Sequence, residues 1–150
     1  MTHPDISIER LTTYSEADAA DIGKLMHVLS EDLSDAPVEE GLLREIIDSP
    51  DRAQLVARKS GKIVASASMN LIKGTGAGRV SELEDFVTDP DEQRQGIGDM
   101  MWNEMVQWGT KRGATKFTFT SRASRPEAHS FYLNHGATIR ETTVFVMPLK

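Results

Sequence analysis

A glycine-bearing turn, Gln93-Arg94-Gln95-Gly96-Ile97-Gly98, is the first stretch whose residue types could bind a ligand. It lies between the apolar run Phe86-Val87-Thr88 and an amphipathic stretch from Asp99 to Arg112, so it is predicted to join a strand to a helix. The first N–H groups of a helix have no intrahelical partner, and the helix dipole favours negative charge there. Glycine at 96 and 98 lets the backbone approach an anion closely, and Arg94 adds a positive charge. The turn therefore predicts a site for a ligand that carries a diphosphate.

Three carboxylates stand shortly before this turn, at Glu82, Glu84 and Asp85, within a stretch that is predicted to form a strand. Because successive side chains of a strand point to opposite faces, Glu82 and Glu84 are expected on one face and Asp85 on the other. Two acids on one face of a largely buried strand are unusual. Two interpretations stay open at this point: the pair is functional, or one glutamate only pairs with an arginine such as Arg79.

The elements that would position these residues form a mixed α/β domain with the order βααβββαβαββ. Ser15 followed by Asp18 favours a helix start, and Ser60-Gly61 favours a hairpin. The glycines at 74, 76 and 78 favour a flexible hairpin loop rather than a dinucleotide site, because no helix pattern follows them. Strands are predicted at residues 6–10, 54–58, 62–72, 79–88, 116–120, 137–140 and 143–149. Helices are predicted at residues 15–31, 42–47, 98–112 and 126–135.

The composition indicates one globular domain that spans residues 1–150. The hydrophobic fraction is 39% and the charged fraction 27%, and no apolar run approaches the roughly 20 residues that span a bilayer. The chain has no cysteine, which excludes disulfides, thiolate metal sites and a cysteine nucleophile. Its formal net charge of -6 argues against non-specific binding to nucleic acid. Since residues 1–5 lack the basic start and apolar core of a signal peptide, we expect a cytoplasmic protein with no metal and no membrane partner.

The turn, the helix after it and the segment around Tyr132 together resemble the GNAT superfamily of acyl-CoA-dependent N-acetyltransferases. The first family signature is Gln or Arg, two residues, Gly, one residue, and Gly or Ala; residues 93–98 match it directly after the fourth strand. The second signature, a helix with Ala and Tyr four residues apart that ends in Gly, is matched by Ala128, Tyr132 and Gly136. The resemblance covers nearly the whole chain. It implies an α/β (α+β) domain of three layers with four helices and a central, mostly antiparallel sheet of six to seven strands, splayed between strands 4 and 5.

The resemblance implies that acetyl-CoA is the co-substrate and lies against the fourth strand. Its pyrophosphate would be held by the backbone N–H groups of residues 94–99, and Phe86 and Thr88 would flank the pantetheine arm. An Asn that contacts CoA commonly stands seven residues before the Tyr, but here that position is Arg125, which could bind a CoA phosphate or an acidic group of the substrate. The expected CoA-binding residues are Phe86, Val87, Thr88, Gln93, Arg94, Gln95, Gly96, Ile97, Gly98, Asp99 and Arg125.

The resemblance also implies catalytic roles. Amine acetylation needs a base that keeps the acceptor nitrogen unprotonated and an acid that protonates the departing thiolate. The family often uses a Tyr as the acid, and Tyr132 stands at the matching position. Glutamates at the positions of Glu82 and Glu84 serve as the base in different branches, and Glu84 is favoured because Glu84-Asp85 resembles the sugar-amine branch. His129, one helical turn from Tyr132, is expected to be a partly exposed histidine rather than a relay.

The resulting hypothesis is an enzyme that transfers acetyl to the primary amine of a small-molecule acceptor by direct attack in a ternary complex, since no cysteine can carry the acyl group. The acidic stretch from Glu31 to Glu40 would suit a cationic amine or is simply a solvated face. Arg122 and Arg125 would instead suit a phosphate or carboxylate on the acceptor. Two alternatives stay open, a protein or peptide N-acetyltransferase and a non-catalytic acyl-CoA-binding regulatory module. The oligomeric state is open as well, with a homodimer as one option.

Overall fold

The computed structural model describes residues 5–150. These residues belong to two compact units, of which the first ends at Phe119 and the second comprises Thr120–Lys150. A single domain over the whole chain stays a prediction.

The first unit contains a sheet of five strands and three α-helices among its described residues. The strands are β1 (Ile6–Arg10), β2 (Arg52–Lys59), β3 (Lys62–Gly74), β4 (Gly78–Thr88) and β5 (Lys116–Thr118). The helices are α1 (Glu16–Leu29), α2 (Glu40–Asp48) and α3 (Ile97–Lys111), with a short 3-10 helix at Pro90–Glu92. The second unit contains α4 (Pro126–Asn134).

The sheet has the strand order β1-β2-β3-β4-β5. The first four strands are antiparallel neighbours, and β5 alone runs parallel to β4. The β4–β5 pairing covers only Val80 to Glu82 of β4, although that strand continues to Thr88. The sheet is therefore open along the last part of β4, at the predicted place between strands 4 and 5.

Local sequence explains several element boundaries. The Ser15 hydroxyl caps α1 by accepting a hydrogen bond from the Asp18 N–H at 3.1 Å, as the Ser15–Asp18 spacing predicts. Ser60 and Gly61 have φ values of 52° and 79°, the two left-handed residues that a tight two-residue hairpin turn requires. The hairpin that Ser60-Gly61 predicts between β2 and β3 is therefore confirmed.

A β-bulge interrupts β4 just after the glutamates. Ser68 lies opposite Glu84, but Ser66 lies opposite Val87, so β4 carries one extra residue between these two pairs. Asp85 lies within the bulge and has a φ of 53°. Because the extra residue shifts the alternation, Val87 returns to the face that carries Glu84.

The helices cover the two faces of the sheet differently. Val56 and Val87 belong to an apolar cluster with Leu25 of α1 and Leu43 of α2, so these helices lie on the face that carries the glutamates. Ser81 points to the opposite face, where α3 packs. A Cβ atom at Gly109 of α3 would lie 2.6 Å from the Ser81 Oγ, so only glycine allows this close approach.

Two parts of the sheet prediction are wrong. The sheet has five strands rather than six to seven, because residues 137–140 and 143–149 form neither strand nor helix. Glu141-Thr142, the two residues between these segments, lack the Gly or Asn that a two-residue hairpin favours, so the local sequence gives no strong turn signal for pairing them. The apolar side chains in this region are exposed, with 80% for Ile139 and 89% for Phe145. The fifth strand also ends at Thr118 rather than Thr120, where its pairing with β4 stops.

Candidate active site

The two glutamates of β4 lie on one face of the sheet, as the strand alternation predicts. Glu82 lies opposite Asn70 of β3, and Glu84 lies opposite Ser68. Burial raises the pKa of Glu82 above its usual value, and a hydrogen bond and the negative charge of Glu84 raise it further. Glu82 therefore holds a proton more readily than an isolated surface glutamate would.

Asp85 adds a third carboxyl group next to this pair. Its left-handed backbone within the bulge is uncommon for a residue other than glycine. Partial desolvation raises the pKa of Asp85, the charge of Glu84 adds to this effect, and Arg52 opposes it. The end of β4 thus concentrates acidic groups that resist full ionisation.

A row of polar side chains continues from Glu84 across the same face. The Gln54 Nε2 donates to the Ser66 Oγ at 2.7 Å, and the Ser68 Oγ donates to the Gln54 Oε1 at 2.9 Å. Gln54, Ser66 and Ser68 are all buried. Such a satisfied polar chain inside a sheet fixes its side chains in one arrangement. Sequence reasoning missed it, although Ser66, Ser68 and Asn70 recur at the period of two that marks one face of a strand.

The turn between β4 and α3 has the backbone that the predicted anion site needs. Gly96 is the N-cap of α3 with a φ of 79°, and glycine has no side chain that could cap the first N–H groups of the helix. Arg94 is also left-handed, with a φ of 67°. Ile97 is buried and anchors the start of α3. The residues from Gln93 to Asp99 therefore present a glycine-capped helix start beside an arginine.

The predicted pantetheine-binding run on β4 is divided by the bulge. Val87 is buried in the cluster under α1 and α2, so only its backbone could contact a ligand. Phe86 and Thr88 are half-buried. Alternation alone would have placed Phe86 on the face of Glu84, and the bulge is the reason that Val87 takes this place.

The predicted acid lies in the second unit. Tyr132 is half-buried on α4, and its ring meets that of Phe131 edge to face, with 5.7 Å between the centroids. Burial raises the pKa of Tyr132 above its usual value, while the positive charge of Arg125 at the N-cap of the helix opposes this shift. The phenol therefore stays protonated at neutral pH. The His129 Nε2 lies 2.9 Å from the Arg122 carbonyl oxygen, and the side chain is partly exposed as expected.

Two glutamates of the acidic segment between α1 and α2 make local contacts at the start of α2. Glu39 caps α2 by accepting from the Gly41 and Leu42 N–H groups, both at 2.8 Å, and Glu40 pairs with Arg44 at 2.9 Å. The segment is held against α1 at Gly23, where a Cβ atom would lie 2.0 Å from the Ala36 carbonyl oxygen. The segment thus has a defined position against α1, and Glu39 and Glu40 are already engaged.

The described part of the chain shows neither a metal-ligand cluster nor a membrane-spanning helix. Residues 5–150 contain no group of three or more His, Asp or Glu side chains that could hold a metal ion. Within the same residues, no helix combines the length and the apolar character that crossing a membrane requires.

Comparison with known proteins identifies the family. The model of the acetyltransferase (GNAT) family matches residues 22–137. No curated protein sequence is detectably similar to the chain.

Solved structures share the fold at low sequence identity. An aminoglycoside acetyltransferase from an uncultured soil metagenomic sample, in complex with trehalose, is 22% identical with a TM-score of 0.83, covering 97% of each chain. An aminoglycoside N-acetyltransferase in complex with CoA is 17% identical with a TM-score of 0.77, covering 95% of this chain and 94% of its own. Glucosamine-6-phosphate N-acetyltransferase from Arabidopsis thaliana is 17% identical with a TM-score of 0.75, covering 95% of this chain and 97% of its own.

These three likenesses show the fold alone, because each identity is below 25%. The family model carries more weight, since it spans well over half of the 150 residues and includes the glycine turn, both glutamates and Tyr132. The chain belongs to the GNAT family of acetyltransferases.

Proposed function

We propose that the protein is an N-acetyltransferase that moves an acetyl group from acetyl-CoA to the primary amine of a small-molecule acceptor by direct attack in a ternary complex. The observation that carries the proposal is the position of Glu82 and Glu84. The two carboxyl groups share one face of β4, at and just beyond the point where its pairing with β5 stops. Two neighbouring carboxyl groups at an open edge of a sheet, one of them with a raised pKa, are suited to proton transfer rather than to structure.

The glutamate pair supplies the base. An acceptor ammonium must lose a proton before its nitrogen can attack, and a carboxylate beside it can accept that proton. Glu84 is the more exposed of the two and is therefore the favoured proton acceptor, with the Glu82 side chain hydrogen-bonded to it. The new bond forms between the amine nitrogen and the acetyl carbon as the carbon–sulfur bond breaks.

Tyr132 supplies the acid. The departing thiolate needs a proton, and a phenol that stays protonated at neutral pH can donate one. The raised pKa of Tyr132 supports this role, as does the match of Ala128, Tyr132 and Gly136 to the family signature. Two protons leave the acceptor ammonium in all. Glu84 takes the first before attack, and the second, released from the nitrogen of the tetrahedral intermediate, replaces the proton that Tyr132 gives to the sulfur.

The turn before α3 binds the diphosphate of CoA. Acetyl-CoA supplies the activated thioester, and the chain contributes the N–H groups at the start of α3 and the charge of Arg94. The left-handed Gly96 supports this assignment, since a residue with a Cβ atom would be strained there. Gln93, Asp99 and, from the second unit, Arg125 are the further proposed contacts.

The acceptor is proposed to be a polar amine. Solved relatives of the same fold include aminoglycoside acetyltransferases and a glucosamine-6-phosphate N-acetyltransferase, which act on small amines that carry many hydroxyl groups. Asn70, half-buried on β3 opposite Glu82, supports a hydroxylated acceptor, because it offers an amide on the face that carries the glutamates.

The direct test is release of free thiol from acetyl-CoA with a panel of amines that includes aminosugars, aminoglycosides, polyamines and a lysine peptide. We expect turnover with at least one small amine, a large loss in Glu84→Gln and a smaller loss in Tyr132→Phe. Glu104→Gln, on α3 and hence on the opposite face, is the matched control and should retain wild-type rates.

Each other outcome has a distinct meaning. Tight binding of CoA without turnover on any amine would favour the non-catalytic module. Turnover on the peptide alone would favour a protein acetyltransferase, and wild-type rates in Glu84→Gln would refute the assigned base.

A further inference from the structure

Lys59, the last residue of β2, closes a triangle of hydrogen bonds with two residues near the glycine turn. The Lys59 Nζ donates to the Glu92 Oε2 at 2.8 Å and to the Gln95 Oε1 at 3.1 Å. The Gln95 Nε2 donates to the same Glu92 oxygen at 2.8 Å. Lys59 precedes these partners by 33 and 36 residues, so the triangle ties the tip of the β2–β3 hairpin to the turn.

The turn that the triangle holds has a costly backbone conformation. Arg94 is left-handed without being glycine, and Gly96 is left-handed as well. Such conformations persist only when the surrounding structure over-determines them. Glu92 and Gln95 flank Arg94 on its two sides, so Lys59 restrains the chain both before and after the strained residue.

The triangle stays charged at neutral pH. The hydrogen bond from Lys59 lowers the pKa of Glu92, and the hydrogen bond from Gln95 lowers it further. Lys59 and Glu92 are 27% and 22% exposed, so water screens their attraction only in part. The Gln95 side chain is engaged by its hydrogen bonds to Lys59 and Glu92. The group of Gln95 that can bind a ligand is therefore its backbone N–H.

We propose that Lys59 is a positioning residue for acetyl-CoA, which holds residues 93–98 in the conformation that receives the pyrophosphate without touching the ligand. This inference rests on the proposed function. A turn that is already ordered loses less entropy when it binds, so its release should weaken CoA binding specifically. The KM for acetyl-CoA should rise, while kcat and the KM for the acceptor stay near wild type.

The test is calorimetric titration of the full chain with CoA, comparing wild type, Lys59→Met and Lys59→Arg. We expect Lys59→Met to raise the Kd for CoA about tenfold, as the loss of a charge-assisted contact that orders the turn would. Lys59→Arg keeps a cation and several donors, and should restore the Kd to within about threefold of wild type.

Lys73→Met is the matched control. Lys73 also pairs with a carboxylate, Asp51 at 3.3 Å, but it lies at the opposite end of β3 from the hairpin tip. This variant should bind CoA as wild type does. Glu92→Gln is the second variant, because it removes the negative charge of the triangle with a minimal change of shape. The Kd of this variant for CoA should also rise.

The outcomes separate the inference from the proposed function. Unchanged CoA affinity in Lys59→Met and Glu92→Gln, beside a wild type that binds CoA, would overturn the inference alone. An equal loss in Lys73→Met would overturn it too, since the effect would then be a general one of lysine removal. A wild type that does not bind CoA would overturn the proposed function and the inference with it.

Discussion

Two groups of acidic side chains in the first unit have opposite electrostatic environments. Asp18 of α1 accepts hydrogen bonds from Arg58 at 2.8 and 3.0 Å, and Glu9 of β1 accepts one from the same guanidinium at 2.6 Å. The hydrogen bond from Arg58 lowers the pKa of Asp18, although partial burial opposes the shift. Glu82 and Glu84 instead lie beside each other, and burial together with the second carboxyl group raises the pKa of Glu82.

The difference separates a structural role from a functional one. A paired carboxylate whose ionised form is favoured by its surroundings stabilises the fold and ties α1 to β2. A carboxyl pair whose ionisation is disfavoured costs stability at neutral pH, and sites of this kind are typical of catalysis. The two groups should therefore respond in opposite ways to the same substitutions.

The largest expected effect is on catalysis. Replacing both glutamates, Glu82→Gln with Glu84→Gln, should lower kcat/KM by about a thousandfold, because general base catalysis is worth roughly a hundred- to ten-thousandfold. The melting temperature should not fall. Initial rates at subsaturating acceptor give kcat/KM, and a thermal scan of the same sample gives the melting temperature. A folded double variant with wild-type rates would contradict the comparison.

The next largest expected effect is on stability, at the carboxylates that Arg58 binds. Asp18→Ala should lower the free energy of unfolding by about 2 to 3 kcal/mol, because it removes both hydrogen bonds that the half-buried Arg58 donates to Asp18 and leaves this guanidinium with only Glu9 and the Gly61 carbonyl oxygen. Urea unfolding at neutral pH measures this loss, and the kcat of the folded fraction should be unchanged. A stable variant with impaired catalysis would reverse the roles assigned to the two groups.

The pH dependence of stability should have opposite signs at the two groups. The lowered pKa of Asp18 contributes stability that is present above its unfolded pKa of about 3.9 and is lost as the pH falls through the folded value. The raised pKa of Glu82 does the reverse, since the folded state then binds more protons and stability falls as the pH rises from about 4.3 through the folded value. Glu82→Gln should therefore melt above wild type at pH 7 and near wild type at pH 4.

The smallest expected effect is on the free energy of unfolding when Glu9, the second carboxylate bound by Arg58, is replaced. Glu9 is 43% exposed, so Glu9→Gln should change the free energy of unfolding by less than about 1 kcal/mol. Urea unfolding beside Asp18→Ala gives the comparison. A loss as large as that of Asp18→Ala would show that Arg58 depends on both carboxylates.

Much of the site could be predicted where local sequence determines the structure. The hairpin at Ser60-Gly61, the cap of α1 at Ser15 and the left-handed glycine at the start of α3 follow from residues that are neighbours in the chain. The shared face of Glu82 and Glu84 follows from strand alternation.

The features that were missed depend on distant partners. The bulge at Asp85 is set by the register between β3 and β4, which no local pattern encodes. The triangle of Lys59, Glu92 and Gln95 joins residues more than 30 positions apart. The two last strands were predicted wrongly for the same reason, because apolar β-branched residues show that a segment can form a strand but not that it has a pairing partner.

The central claim is that the glutamate pair on β4 takes the proton of the acceptor amine. The most direct measurement is the pH dependence of kcat/KM for one amine in wild type and in Glu84→Gln, since the ratio of the two profiles removes the titration of the acceptor that both share. We expect the wild-type profile to include an acid limb from protonation of the base, and this limb to be absent from the much slower variant. An identical limb and identical rates in Glu84→Gln would contradict the claim.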